Sequence, residues 1–418
     1  PEKGEVIIQG GTFPSFPKEY QEEFVKYIFR AMNDFSEMFF DKSGEIDFEK
    51  FKEFFELPGS IKDISRTDNI HKKILALKKP CLLKEEQLKN ENAKIRCIGL
   101  TIETKPDWGK LSHGNELLEL GCTRIELGIQ SVYDDVLKKT NRGHTLKDTI
   151  ESIRILKDLG FKLNAHYMLG LYKYGKEDLD GLNELFKNSN YRPDMLKIYP
   201  CLVMPGTPLY ELWKRKQYKE ITTSEAVETI SEFKRDVPKF VRIHRIQRDI
   251  PTNVTIAGVD KTNLRQYVEK KLKEKGIKCQ CIRCREPREN KSYEYSIYVL
   301  EYEASNGKEF FISAENEQEN IILGFCRLRF PSESLRKEIT MKSGMIRELH
   351  VYGKSISIGK EGKVQHRGIG KELLKKAEQI CIDNKKNKLL VISGIGIKQY
   401  YIKLGYVRDD PYVSKKLN

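Results

Sequence analysis

Four groups of residues in this chain combine side-chain type and spacing in ways that chemistry can use. The first is Gln365-His366-Arg367-Gly368-Ile369-Gly370, between an extended run, Ile346 to Val351, and a helical run opening at Lys371. In that helix Leu373, Leu374, Ala377, Ile380 and Cys381 share one face at 3.6-residue spacing. Free main-chain N–H groups at such a helix start, with glycines that let the backbone come close, suit a pyrophosphate. The second group is Cys279-x-Cys281-x-x-Cys284. Three thiolates this close can converge on one tetrahedral zinc, which a sulfur-rich shell would make structural, or stand as three free thiols. The fourth ligand stays open among His244, Cys201 and Cys326, and His244 equally suits a phosphate. The third group is the pair Tyr400-Tyr401, whose neighbouring side chains point different ways, one to donate a proton and one to pack. The fourth comprises Gly10-Gly11-Thr12, Glu103, Gln130-Ser131 and His166, all near the ends of apolar runs, with Glu126 inside one. A buried carboxylate is costly without a partner, so Glu126 either pairs with Arg124 or a nearby lysine, or holds a polar ligand. His166 is read the same way, as a hydrogen-bonded core histidine or part of that mouth.

The elements that must carry these groups alternate in the first half. Strands are predicted at Glu5–Gln9, Arg96–Glu103, Arg124–Ser131, Phe161–Met168 and Met195–Pro200, with helices between them, including Lys18–Asn33 and Leu146–Leu159. Repeated strand–helix units imply a parallel sheet clothed in helices, here five strands of a partial barrel, with chemistry at the strands' C-terminal ends. From Ser292 the period becomes that of strands, at Ser296–Glu301, Glu309–Ser313, Ile321–Arg329 and Ile346–Val351, predicting a mostly antiparallel α+β unit. Three segments follow: 1–238, 239–291 and 292–418. Residues 41–95 are charged and irregular, and no chemistry is read from them.

The 418 residues suffice for two or three domains, and 39% hydrophobic content with 10% aromatics excludes a disordered chain. No apolar run reaches membrane-spanning length and no leader pattern is present, so a cytoplasmic protein is expected. Net charge is +14, concentrated between Lys234 and Glu289, where 16 Lys and Arg face 7 Asp and Glu. Such a zone is either a solvated surface or a nucleic-acid footprint; the candidates for phosphate contact are Arg242, Arg245, Arg248, Lys278, Arg283 and Arg285. Nine cysteines in such a chain suggest metal or buried thiols before disulfides. The chain begins at Pro1 almost inside a strand, and a preceding segment is expected.

The Arg-Gly-Ile-Gly loop and the tail Tyr401-x-Lys403-Leu404-Gly405-Tyr406 resemble the GNAT acetyltransferases. Further motifs follow one another in order: Gly10-Gly11-Thr12-Phe13-Pro14, Ile102 to Asp107, Glu126 to Tyr133, Thr140 to Thr145, Arg245 to Pro251 and Arg347 to Gly353. Together they resemble the catalytic subunit of Elongator in its archaeal or bacterial single-chain form, across nearly the whole chain. That resemblance implies a radical S-adenosylmethionine (SAM) barrel over 1–238, a basic zinc linker over 239–291 and a GNAT domain over 292–418. It implies SAM at Gly10, Gly11, Thr12, Glu126 and Gln130. It implies acetyl-CoA at Lys3, Glu348, Leu349, His350, Val351, Gln365, Arg367, Gly368, Ile369, Gly370 and Lys371, with Tyr401, rather than Tyr400, at the sulfur. The family's [4Fe–4S] cluster needs three clustered cysteines; none of the first 80 residues is cysteine, and Cys81, Cys97 and Cys122 lack the spacing. That motif is expected outside this sequence. Met168 to Tyr172 also departs from the family, which has prolines there.

The implied activity is installation of a carboxymethyl group on C5 of the tRNA wobble uridine, position 34, from acetyl-CoA by SAM radical chemistry. The implied partners are the tRNA anticodon stem-loop and Elongator-type subunits or further copies of the chain. Two other readings remain: a protein (histone) lysine acetyltransferase using the GNAT half alone, and a tRNA-binding platform with a silent barrel.

Overall fold

Period-two alternation in the first half becomes six parallel strands in the computed structural model, which describes residues 2–247, 250–287, 294–352 and 368–417. They are β1 (Lys3–Ile8), β2 (Arg96–Thr104), β3 (Arg124–Gln130), β4 (Lys162–Leu169), β5 (Met195–Pro200) and β6 (Arg242–Ile246), hydrogen-bonded in sequence order. Apolar residues on one face, such as Ile102, Ile125, Leu127, Leu163, Leu196 and Ile243, are buried in one continuous core. The helices Lys18–Phe39, Leu111–Glu119, Leu146–Asp158, Lys176–Lys187 and Thr223–Phe233 connect the strands. Each start is set locally where it can be: Thr145 caps Leu146–Asp158, its hydroxyl accepting from Asp148 N while the Asp148 carboxylate accepts from Thr145 N. The sheet is a half-barrel. Five strands were expected, and the sixth lies in the stretch read as a basic linker. β6 is short and rich in arginine, so its pattern hides that Ile243 and Ile246 join the core.

The second sheet has seven strands: β7 (Ser296–Ala304), β8 (Gly307–Asn316), β9 (Ile321–Phe330), β10 (Ser343–Val351), β11 (Lys388–Val391), β12 (Val407–Asp409) and β13 (Tyr412–Lys416). Their order is β12-β13-β11-β10-β9-β8-β7, antiparallel except for the β10–β11 pair. The helix Ile369–Asp383 packs Leu373, Leu374, Ala377, Ile380 and Cys381 against one face of this sheet. No described helix is long and apolar enough to cross a membrane.

The other face of that sheet closes the N-terminal end of the half-barrel, and charge does the joining. Arg347 on β10 makes a two-pronged contact with Asp194, just before β5, at 2.5 and 2.8 Å, and reaches Glu309 at 2.9 Å. Arg329 bonds Asp158 at 2.8 Å and Glu309 at 3.0 Å; Lys157 reaches Glu309 at 3.3 Å; Arg327 bonds Glu348 at 2.9 Å. Lys157, Asp158, Asp194, Glu309, Arg327, Arg329 and Arg347 are wholly buried. Apolar and close-packed contacts surround the network. Tyr412 donates to Leu159 O at 2.8 Å, Phe240 stacks on Tyr302 with ring centroids 3.9 Å apart, and Gly394 lies so close to Ile98 that a Cβ would come within 2.1 Å of its carbonyl oxygen.

Asp194→Ala leaves Arg347 and Lys157 buried against a missing anion, so unfolding stability should fall by about 3–5 kcal/mol in urea titration. Burial alone would raise the Asp194 carboxyl, but Arg347 and Lys157 hold it well below the ordinary range. Its contribution is therefore complete above about pH 4 and lost as pH falls below that, and the variant's pH–stability curve should flatten on the acid side.

Candidate active site: a polar barrel between two ends

Strand alternation sends every second residue of β1 to β6 into the concave side of the half-barrel. Barrel interiors are ordinarily filled by branched apolar side chains. Here the inward positions are Lys3 and Glu5 on β1, Glu103 on β2, Arg124, Glu126 and Gln130 on β3, Lys162, Asn164 and His166 on β4, Lys197 on β5, and Arg242 and His244 on β6. Glu126, 0% exposed, sits at the centre. It accepts from His166 Nε2 at 2.8 Å, forms a close ion pair with Lys197, and lies 3.4 Å from Asn164 Nδ2. Burial pushes its pKa up, but the bonds from His166 and Lys197 prevail and hold it at about 2. The expected partner was Arg124 or a nearby lysine. It is Lys197, while Arg124 lies 3.9 Å from Glu5.

At the C-terminal end of the strands the backbone turns through Gly10 (φ 94°) and Gly11 (φ 63°), where an added Cβ would meet nothing within 4 Å. The Gly10 N–H donates to Glu103 at 3.3 Å, and Glu103 lies 3.9 Å from Lys197. Thr12 follows, and Gln130 closes the same edge in a left-handed backbone (φ 61°) with its Oε1 buried and unpartnered. An open glycine turn beside a carboxylate and an unsatisfied amide fits a ligand carrying both amine and carboxylate groups. Gly10, Gly11, Thr12, Glu126 and Gln130 are thus brought to one region, joined by His166, Glu103 and Lys197.

At the other end β10 and β11 diverge. They pair from Ser343↔Lys388 to Ile346↔Val391, and Ile392 N still reaches Ile346 O at 3.1 Å. Beyond that β10 runs on to Val351, paired among the described residues with β9 alone, across a bulge between Ile346 and Glu348. The bulge turns both Arg347 and Glu348 toward the half-barrel. Leu349 and Val351 pack on the helix side. His350 stacks on Phe325 at 5.6 Å and meets Tyr352 edge-on at 4.5 Å; part of the residue is exposed, but desolvation of its ring by the surrounding protein lowers its pKa, so it is neutral near pH 7. Glu348 is buried; burial opposes its charge, but Lys162 and Arg327 hold it ionised. The exposed Lys3 lies at this same end, at the start of β1. Gly368 (φ 83°) opens the helix Ile369–Asp383 with no side-chain cap. Gly370 lies against Tyr400: a Cβ there would be 3.3 Å from the Tyr400 hydroxyl. Tyr401 is 5% exposed and packs edge-on to Tyr400 and Tyr406; burial raises its pKa, and among the described residues its hydroxyl has no partner. Lys371 is exposed in the first turn. Gln365 and Arg367 lie outside the described residues.

The sulfur atoms of Cys279, Cys281 and Cys284 lie within 4.8 Å of one another, beside the buried Lys234, whose Nζ is 3.4 Å from Cys284 Sγ. Thiolates around one zinc stand roughly 3.8 Å apart, so the donor set fits. None of the suggested fourth ligands is near. His244 bonds Asn164 inside the half-barrel, Cys201 packs with Val203 and Tyr218, and Cys326 lies in the core of the second sheet. The triad sits at the Val241 end of β6, to which Ile282 N bonds at 2.9 Å. That is the end opposite the glycine turn. Among the described residues no three cysteines converge near Gly10, and Cys97 and Cys122 are buried thiols pushed up to about 11 and about 12. A [4Fe–4S] cluster serving the glycine turn does not fit the cysteines of this chain.

The basic candidates divide. Arg285 is a correction: it is 1% exposed and committed to Glu315 at 2.8 Å and to the main-chain oxygens of Gln280 and Lys239 at 2.9 Å. Arg242 bonds Glu286 at 2.6 Å and faces inward. Lys278 and Arg283 are exposed, Arg245 half-buried, and Arg248 lies outside the described residues.

Comparison with known proteins places this geometry. Residues 2–186 match the Radical SAM superfamily, 193–274 a Radical SAM C-terminal domain and 357–416 an acetyltransferase (GNAT) domain. The tRNA uridine(34) acetyltransferase of Methanocaldococcus infernus is 41% identical over all of this chain and 72% of its own length. The chain belongs to that family. Elongator complex protein 3 of Saccharomyces cerevisiae, 35% identical over 100% of this chain and 69% of its own length, is a more distant member. The solved structure of the archaeal Methanocaldococcus infernus Elp3 with an N-terminus deletion (1–46) superposes with a TM-score of 0.85 at 40% identity, covering 100% of this chain and 91% of that one. Family membership fixes the half-barrel as a radical SAM domain and the second sheet as a GNAT domain.

Lys197 and Asn164 were missed in the sequence, although a lysine flanked by Leu196 and Ile198 is itself a period-two signal. Carbon-13 NMR should find the Glu126 carboxyl titrating near pH 2. In Lys197→Met, with burial less opposed, that titration should move upward.

Proposed function

We propose that this chain modifies the wobble uridine, position 34, of tRNA, building a carboxymethyl group on C5 from acetyl-CoA. The observation that carries the reading is the direction of β10. The residues expected along the thioester arm, Glu348 and His350, face the floor of the radical SAM half-barrel rather than an open groove for a peptide. A lysine acetyltransferase has no use for that orientation.

In this reading Gly368, Ile369, Gly370 and Lys371 receive the pyrophosphate through main-chain N–H groups and the positive helix start; Gln365 and Arg367 are assigned to it by the resemblance alone. The edge of Glu348 to Val351 pairs with the pantetheine arm, and Lys3 stands at the opening. Acetyl-CoA supplies the two-carbon unit as an activated thioester. Tyr401, kept a neutral phenol by burial, donates its proton to the sulfur as CoA leaves; Tyr400 walls the channel against Gly370. Gly10, Gly11, Thr12, Glu126 and Gln130 hold SAM, which supplies hydrogen-abstracting chemistry only with a cluster that these cysteines do not ligate. The chain's own part is therefore to bind, orient and exclude water. Cys279, Cys281 and Cys284 hold a structural zinc that pins the β6 end to the GNAT domain; of the expected segments 1–238, 239–291 and 292–418, the half-barrel runs past the first boundary through β6 at Arg242–Ile246, so the middle segment is part barrel and part zinc-bearing junction.

Release of free CoA from acetyl-CoA should be slow alone and rise when tRNA is added. Tyr401→Phe should lower the stimulated rate about 100-fold, and Tyr400→Phe far less. Stimulation by a lysine peptide instead of tRNA would sink the proposal. Purified protein should carry about one zinc per chain by elemental analysis, and Cys281→Ser should lose it together with thermal stability.

A further inference from the structure

Arg124 and Lys162 are register partners on neighbouring parallel strands, β3 and β4, and both side chains turn into the half-barrel. Like charges placed directly opposite one another in a sheet are destabilising. Here neither is neutralised. Arg124, 8% exposed, keeps its Nε buried and unpartnered. Its nearest carboxylate, Glu5, stands 3.9 Å from Nη1 on a side chain 59% exposed to solvent. The Lys162 ammonium makes no hydrogen bond or ion pair among the described residues. The acidic groups nearby are already taken: Glu126, the next inward residue on β3, by His166 and Lys197, and Glu348 by Arg327 at 2.9 Å. Two adjacent cations with an unused N–H make a place for an anion that the chain itself does not supply.

What faces the pair is β10. Arg347 Nη1 donates at 2.8 Å to the carbonyl of Phe161, the residue before Lys162, so the β10 bulge lies against the start of β4. Lys162 acts electrostatically on both Glu348 and His350, the inward-facing residues at that bulge and beyond it. The pair therefore stands where the reading above brings the acetyl end of acetyl-CoA, at the end of the strands opposite the glycine turn.

We propose that Arg124 and Lys162 form an oxyanion site for the two-carbon unit, holding the carbonyl oxygen of the thioester and then the carboxylate that replaces it. The ligand class is a small carboxylate, and the assignment rests on the acetyl-CoA reading above. In the hydrolysis a water oxygen bonds to the carbonyl carbon and the carbon–sulfur bond breaks, its electron pair going to sulfur. Tyr401 protonates that sulfur and takes back one proton of the water; the other goes to solvent. Thioester and water thus become a carboxylate, a thiol and one free proton. Negative charge grows on the oxygen that faces Arg124 and Lys162 and stays there in the product, which is where fixed cations in a buried site contribute most.

Calorimetry without tRNA tests the site with two analogues: S-carboxymethyl-CoA, which carries a carboxylate at the acetyl position, and the neutral S-propyl-CoA. The wild-type protein should prefer the carboxylate about tenfold. Lys162→Met should erase that preference and Lys162→Arg retain it, with the affinity for S-propyl-CoA unchanged in both. Because the substitution relieves repulsion and breaks no ion pair, Lys162→Met should melt no lower than the wild type. In tRNA-stimulated CoA release it should lose about tenfold in kcat while KM for acetyl-CoA stays within about twofold, the mark of an interaction made in the transition state. Equal affinity of the wild-type protein for the two analogues, or a preference that survives in Lys162→Met, would overturn the oxyanion site and leave acetyl-CoA binding intact. So would a loss of tRNA binding in Lys162→Met with the preference unchanged, which would give the pair to a phosphate. Failure of the wild-type protein to bind either analogue would instead overturn the acetyl-CoA reading, and the site with it.

Discussion

The buried ion network between β10 and the N-terminal end of the half-barrel is the constraint from which the rest of the molecule follows. Lys157, Arg327, Arg329 and Arg347 meet Asp158, Asp194, Glu309 and Glu348, so the buried charge balances. Such networks contribute little net stability over apolar packing, because desolvation offsets attraction. What they do supply is geometry. An apolar interface tolerates sliding, whereas the two-pronged Arg347–Asp194 contact is satisfied in one register only. The GNAT sheet is thereby fixed under the strands, and the bulge that frees the β10 edge is held by the same Arg347 and Glu348 that anchor it.

That placement puts the glycine turn and the Glu348–Val351 end of β10 at opposite ends of one set of strands. A strand of seven residues spans about 23 Å, so the two ends cannot touch directly. Only the space between them connects them, and it is lined by alternating charge: Glu5, Arg124 and Lys162 below, Asn164 and Glu126 in the middle, Lys197 and Glu103 above. Filling it with valine and isoleucine would have given a more conventional core. The polar lining costs desolvation energy and is sustained by mutual pairing, as the low pKa of Glu126 records. Unpartnered atoms remain along it, among them Arg124 Nε, Asn164 Oδ1 and Gln130 Oε1. A packed core would not leave them.

Much of this was legible in residue pattern. The strand–helix alternation, the antiparallel second half and the helix after Gly368 all carry strong periodicity, and the observed boundaries differ from those read in sequence mainly at the ends. β6 was not, because five residues with three basic side chains read as a charged linker until their neighbours on β5 are known. Arg285 misled for a related reason: local charge gave it to the surface, while its true partner, Glu315, is thirty residues on and on another domain. The fourth-ligand question failed in the same way. His244 precedes Cys279 by 35 residues and period-two alternation turns it into the half-barrel, while the buried Lys234 lies beside the triad. Each miss concerns a side chain whose role is set by a distant partner, which no local period encodes.

The open edge of β6 shows how a liability becomes usable. An unpaired strand edge offers main-chain groups to any passing strand. Here Arg265 caps the carbonyls of Ile243 and His244, and the cysteine segment covers Val241, so the edge is blocked without adding a strand. Closing the barrel with two further strands would remove the edge as well, but it would also seal the charged interior from the side. With the GNAT sheet below and the glycine turn above, the side beside β6 is the open approach to the charged interior among the described residues.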